Sequence, residues 1–277
     1  MLALFNTLGR ALRGLFIFLL LFSHLAHSAE LRLLLGQEHW RYQEVDDFEH
    51  ELNREQGALP QLQAALLLPI AAHWHLHSAL TYNQGTLDYI GQTQAGTPHN
   101  TQTDTANFLW QGSGRYYWQR AYLGGGVQYQ YWQREIQAAN NVSHLHEYYR
   151  WFGPQLELGY LYPLTSNLEL ELGLSGAWLN GEMEVDLTAV PSTNNRSRNF
   201  GEPRIKLRNG YQANAFLLIK IQLNQQLQLL FNYQQSYRYF PKSADTQATD
   251  GQTQLLIHEP ESTNSFYHYA TGISYSF

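Results

Sequence analysis

Cysteine is absent from the 277 residues and methionine occurs only twice. Without thiols there is no disulfide framework and no thiolate metal site. Charge is scarce as well. Asp, Glu, Lys and Arg make up 14% of the chain, where an ordinary soluble domain carries about 25%. The net charge of -6 and the lack of any basic stripe argue against a nucleic-acid partner. After residue 28 no apolar run approaches the roughly 20 residues of a spanning helix, and the mean hydropathy is -0.41. There is no Gly-rich phosphate loop, and Gly124-Gly125-Gly126 sits inside an alternating segment, where glycine marks a bend or a close backbone approach. No Gly-x-Ser-x-Gly elbow occurs.

What is plentiful is aromatic: 19 Tyr, 13 Phe and 7 Trp. Few charges with many aromatics is what a β-barrel facing lipid requires, because its outer face must be apolar with aromatic girdles. Alternation supports this. In Ser265–Phe277, Phe277, Tyr275, Ile273, Tyr269 and Tyr267 share one face, interrupted by Thr271, and Ser276, Ser274, Gly272, Ala270 and His268 share the other. A soluble sandwich shows similar alternation. The terminal aromatic residue resembles the closing strand of Gram-negative outer-membrane barrels, and that resemblance implies an export signal and a set of similar strands. Residues 1–28 read as the signal. Arg10 and Arg13 precede the apolar run Leu15–Phe22, and Ala26-His27-Ser28 offers a small-x-small cleavage site. The mature chain, 29–277, then forms a single domain.

Ten strands can be read in it. The pattern predicts them over residues 30–45, 58–69, 73–90, 105–119, 121–136, 148–162, 168–185, 202–223, 227–240 and 265–277. Short turns alternate with long polar loops over residues 46–57, 91–104, 137–147, 186–201 and 241–264. Outer-membrane barrels sort their connections in this way, with short periplasmic turns and long extracellular loops. The expected fold is therefore all-β: one antiparallel transmembrane barrel of about ten strands.

Charges fall on predicted inner faces. Glu157, Glu169 and Glu171 lie on the sixth and seventh strands, and Arg204, Lys206, Arg208, Lys220 and Arg238 on the eighth and ninth. Up-and-down pairing brings Glu169 or Glu171 close to Lys220. An interior salt-bridge network fills a narrow barrel. The competing reading is a charged path for a small solute. His73, His75 and His77 alternate near a short turn, but same-face neighbours lie about 7 Å apart and would need a ligand from another strand to hold a metal. No cofactor is expected.

The order of strands and loops, most clearly over Phe152–Trp178 and from Tyr211 onward, resembles the omptins, ten-stranded outer-membrane proteases whose barrel rises above the membrane. The resemblance implies an Asp pair on one side of a cleft and an Asp-x-His on the other, holding a water. Here the first side offers Asp88 and Asp104, well separated. The second offers Glu182, Glu184 and Asp186 with no following His. The primary expectation is thus a non-enzymatic outer-membrane protein with surface loops for binding or adhesion and a filled polar interior. An omptin-like hydrolase with a rearranged site and a narrow channel are the alternatives. The expected partners are outer-membrane lipid, lipopolysaccharide and the barrel-assembly machinery, the last through the strand ending at Phe277.

Overall fold

The computed structural model describes residues 29–92, 98–139, 142–191 and 197–277. The signal-peptide reading of residues 1–28 lies outside them. The long strands are β1 (Glu30–Val45), β2 (Glu51–Pro69), β3 (Trp74–Gln92), β4 (Pro98–Trp118), β5 (Ala121–Ile136), β6 (Leu145–Pro163) and β7 (Leu168–Val185), followed by β10 (Arg204–Gln222), β11 (Leu227–Phe240) and β14 (Glu261–Ser276). Two small hairpins sit in loops: β8 (Val190–Pro191) with β9 (Ser197–Arg198), and β12 (Thr246–Thr249) with β13 (Gln254–Ile257).

The ten long strands close into one antiparallel barrel in the order β1-β14-β11-β10-β7-β6-β5-β4-β3-β2. Closure pairs β1 with β14, from Glu30 opposite Ser276 to Val45 opposite Glu261. It removes the exposed edges that an open sheet would leave. As expected, Leu31 and Leu33 lie opposite Tyr275 and Ile273, and the Phe277 amide donates to the Ala29 carbonyl at 3.0 Å.

The strands are longer than the alternation predicts. β2 begins at Glu51, within the expected 46–57 loop, and β4 begins at Pro98, within the expected 91–104 loop. Backbone pairing continues where the outer face has turned polar, so the apolar signal ends before the strand does. The barrel strands run from 14 to 21 residues, whereas a bilayer crossing takes about 9–11. One end of the barrel therefore projects beyond an apolar belt. Leu33, Leu35, Leu62, Leu123, Leu158, Leu172, Leu174 and Ile273 are exposed on that belt. Trp74, Trp118, Tyr160, Tyr162 and Tyr275 are exposed on the outer face next to the short turns. On the projecting part the outer face becomes polar, as with Arg150, Glu182, Glu184 and Arg204.

One irregularity overturns three side-chain assignments. Between Leu207 and Gly210 the β10–β7 register shifts, and Asn209 takes a left-handed φ of 60°. A bulge of one extra residue reverses side-chain parity. Arg204, Lys206 and Arg208, expected inside, consequently point outward and are exposed. Ile205 and Leu207, expected to face lipid, are buried inside at 1% and 2% exposure. Below the bulge the expected parity holds, with Gln212, Asn214 and Lys220 facing in.

Candidate functional site

The bore is filled in three zones, and its chemistry lies there and on the projecting rim. Near the short turns, three buried cations meet four carboxylates. Lys220 Nζ lies 3.0 Å from Glu169 Oε1 and 2.8 Å from Glu171 Oε2, as the β7–β10 pairing predicts. Arg32 Nε pairs with Glu30 at 2.7 Å and its Nη1 reaches Glu171 at 3.5 Å. Arg115 forks onto both oxygens of Glu157 at 2.8 and 2.9 Å, and Ser113 also donates to Glu157. The expected inner positions of Glu157, Glu169, Glu171 and Lys220 are all seen. Gly124 makes room for this fork, because a Cβ there would meet the Glu157 side chain.

Above this plug is a polar cavity of about 80 Å³, lined by amides such as Gln63, Gln111, Gln155, Asn214, Asn232 and Gln234. A space of this size holds a few waters.

The projecting end holds an aromatic core. Trp40, Trp132, Tyr149, Trp151, Phe240 and Phe266 are buried there with Leu59, Leu87, Leu179, Ile205 and Leu207. Trp132 stacks on Tyr149 with ring centres 4.8 Å apart, and Trp151 stacks on Phe240 at 5.3 Å. Ile257 of the β12–β13 hairpin packs onto this core from above. Over it lies the second charge cluster, which sequence reading missed. Arg134, fully buried, pairs with Glu147 at 2.7 Å, Glu55 at 2.8 Å and Glu44 at 3.4 Å. Glu259, from the loop between β13 and β14, adds a fourth carboxyl. Its Oε1 lies 3.0 Å from the Tyr42 hydroxyl and 2.9 Å from the Tyr149 hydroxyl. Burial pushes its carboxyl well above the ordinary range, helped by Glu44 and Glu147 and opposed by Arg134. Parity could have found Arg134, two residues after inward-facing Trp132. Glu259 sits in an aperiodic loop and gives no such signal.

Arg238 lies inside as expected, fully buried between the rings of Trp151, at 4.8 Å, and Phe266, at 5.4 Å. Its Nε donates to Gln212 Oε1 at 3.1 Å.

The carboxylates suggested for hydrolysis do not converge. Asp88 and Asp104 are exposed on the outer face of β3 and β4. Asp104 accepts from Thr86 at 2.7 Å and Gln137 at 2.8 Å. Glu182 and Glu184 are on the outer face of β7, bound to Arg150 and Arg204. Asp186 caps its own turn by accepting from the Thr188 amide and hydroxyl, which holds its carboxyl below the ordinary range. β5 and β6 separate the two groups around the barrel. The three histidines do not converge either. His73 is exposed in the turn, His75 lies against Tyr117, and His77 Nδ1 accepts from Arg115 at 2.9 Å. Among the described residues no three His, Asp or Glu side chains are grouped to hold a metal.

Solved structures similar to the chain include two named as outer-membrane proteins. The outer-membrane protease OmpT of Escherichia coli superposes with a TM-score of 0.63 at 10% identity, over 90% of this chain and 97% of that one. The fold is that of an outer-membrane barrel. The translocator domain of the autotransporter NalP from Neisseria meningitidis matches with a TM-score of 0.46 at 13% identity, over 98% and 95%. OprG of Pseudomonas aeruginosa matches at 0.42 and 10% identity, over 91% and 96%. No protein-family model matches the chain, and no curated protein does. At such identities the barrel is shared and the chemistry is not carried with it.

Proposed function

We propose that the chain is a non-enzymatic surface protein of a Gram-negative outer membrane, in which a filled barrel carries external loops that bind at the cell surface. The observation that carries this reading is the packed projecting end. Trp40, Trp132, Trp151, Phe240 and Phe266 occupy the bore beneath the Arg134 cluster. The carboxylates available for hydrolysis face outward on separate strands. A cleft enzyme needs its groups within hydrogen-bond reach of one water, and a channel needs a continuous wet path. The same packing also supports rigid loops, because Ile257 and Glu259 tie the longest loop to the bore.

Exposed cations on the outer rim support lipopolysaccharide as a partner. Arg204, Lys206 and Arg208 stand exposed just beyond the apolar belt, with Arg150 beside them. Cations at that level suit the phosphates of lipopolysaccharide, since guanidinium groups bind phosphate oxygens in pairs. Export through the segment 1–28 and delivery to the barrel-assembly machinery through the strand ending at Phe277 belong to the same proposal.

Three measurements test it. The refolded barrel should be silent in a planar bilayer, and stepwise conductance would instead favour the channel. Dibasic peptides should remain intact with or without lipopolysaccharide, and cleavage would restore the hydrolase. Lipopolysaccharide should bind less tightly to a barrel in which Arg204, Lys206 and Arg208 are all replaced by Glu. Unchanged binding removes that partner.

A further inference from the structure

Among the described residues five cations are buried in the bore: Arg32, Arg115, Arg134, Lys220 and Arg238. Four of them have carboxylates within ion-pair distance. Arg238 has none among the described residues. Its guanidinium has two aromatic faces and one amide oxygen for company, and its Nη1 has no hydrogen-bond partner. An isolated buried charge is costly unless something compensates it.

Two more orphaned donors lie beside it. Asn264 faces Arg238 directly across the β11–β14 pair, is 3% exposed, and has both amide atoms unpartnered. Trp151, also 3% exposed, has an unpartnered indole N–H. All three residues line one small cavity under the loop of residues 241–260, together with Tyr42, Tyr149 and Glu259. It has room for one water-sized particle. Donors outnumber acceptors there: Arg238 Nη1, Asn264 Nδ2 and Trp151 Nε1 against Asn264 Oδ1. Unpartnered acceptors are thus fewer than unpartnered donors in the cavity, and the guanidinium, which has no ion pair, favours a charged acceptor.

Glu38 is close enough for its charge to act on Arg238, but no carboxyl among the described residues makes an ion pair or hydrogen bond with the guanidinium. Glu38 accepts from Asn83 at 2.8 Å and Gln61 at 3.3 Å. Glu259 faces Tyr42 and Glu44 on β1, Arg134 on β5 and Glu147 and Tyr149 on β6. Its surroundings are short of hydrogens. The Tyr42 hydroxyl touches Glu44 and Glu259, and the Tyr149 hydroxyl touches Glu147 and Glu259. Four such contacts need four hydrogens and the two hydroxyls supply two. Burial holds the Glu259 carboxyl well above its ordinary range, which favours its uncharged form. The wall of the cavity facing Arg238 is thus less negative than its composition suggests.

We propose that this cavity is a binding site for a single monatomic anion, a halide ion, held by the Arg238 guanidinium, the Asn264 amide and the Trp151 indole. The test is bromide in crystals of the full mature barrel. Anomalous density should appear beside Arg238 and Asn264 and vanish in Arg238→Met. In solution, replacing gluconate by chloride at constant ionic strength should raise the unfolding midpoint by about 3 °C, and Arg238→Met should not respond. Bromide found only on the outer surface, or an equal chloride effect in Arg238→Met, overturns the proposal. Should that variant fail to fold, the bromide map of the unaltered protein and of Asn264→Leu decides.

Discussion

Lys220 Nζ lies 2.8 Å from Glu171 Oε2 inside the bore, and both groups are almost completely buried. Glu171 is the hub of the lower plug, because Arg32 and Arg115 also reach it, at 3.5 and 3.9 Å. Removing one partner of a buried pair leaves charge uncompensated. Lys220→Met should therefore destabilise the barrel by about 3 kcal/mol, read as a lower temperature for the heat-induced shift in gel migration. An unchanged transition would mean that the plug is hydrated and contributes little.

Glu259 predicts a pH dependence. Burial holds its carboxyl above the ordinary range in the folded chain, so the folded state binds this proton more tightly than the unfolded state does. Its contribution to stability is complete at pH values below the ordinary carboxylate range. It is lost as pH rises through the raised value. The unfolding midpoint should fall as pH climbs from about 4.5 upward, and Glu259→Gln, which keeps an uncharged group on the two tyrosines, should flatten that slope. A midpoint that rises over the same interval would contradict the buried geometry.

The bulge at Asn209 can be tested because the chain has no native cysteine. Lys206→Cys should react with a membrane-impermeant maleimide on intact cells. Ile205→Cys, one residue away and buried, should not. Reversed labelling would restore the uninterrupted parity.

Gly124 tests the fit of the lower plug. A Cβ at this position would meet Glu157, whose two oxygens hold Arg115. Gly124→Val should cost about 2 kcal/mol by overpacking. Gly125→Val, on the outward face with ordinary space around it, should cost less, in the same thermal assay. Equal losses would place the effect in the backbone and not in the Glu157 contact.

Much of the fold was legible because it depends on a period of two. The alternation in Leu168–Ser175 follows directly from one lipid-facing and one inward-facing side. The turn-and-loop sorting gave the strand number and the β1–β14 closure. It also placed Glu171 near Lys220, because up-and-down pairing leaves few registers. Legibility failed where periodicity breaks or ceases to matter. Arg204, Lys206 and Arg208 kept the expected alternation with their neighbours, but an extra residue at Asn209 turned the whole segment over. Asp88, Asp104, Glu182 and Glu184 carried suitable chemistry on the wrong face.

The sequence by itself determined the architecture, since apolar alternation, aromatic content and scarce charge permit little besides a closed barrel in lipid. The tertiary structure alone decided what fills it. Arg134 gathers Glu44, Glu55 and Glu147 from three other strands, and Glu259 joins from a loop. Arg238 makes no ion pair with a carboxylate among the described residues, although the chain has more acids than bases. Alternation specifies on which side of the sheet a residue lies. Which residues meet across the bore depends on strand stagger and on one bulge, and neither is written in the local pattern.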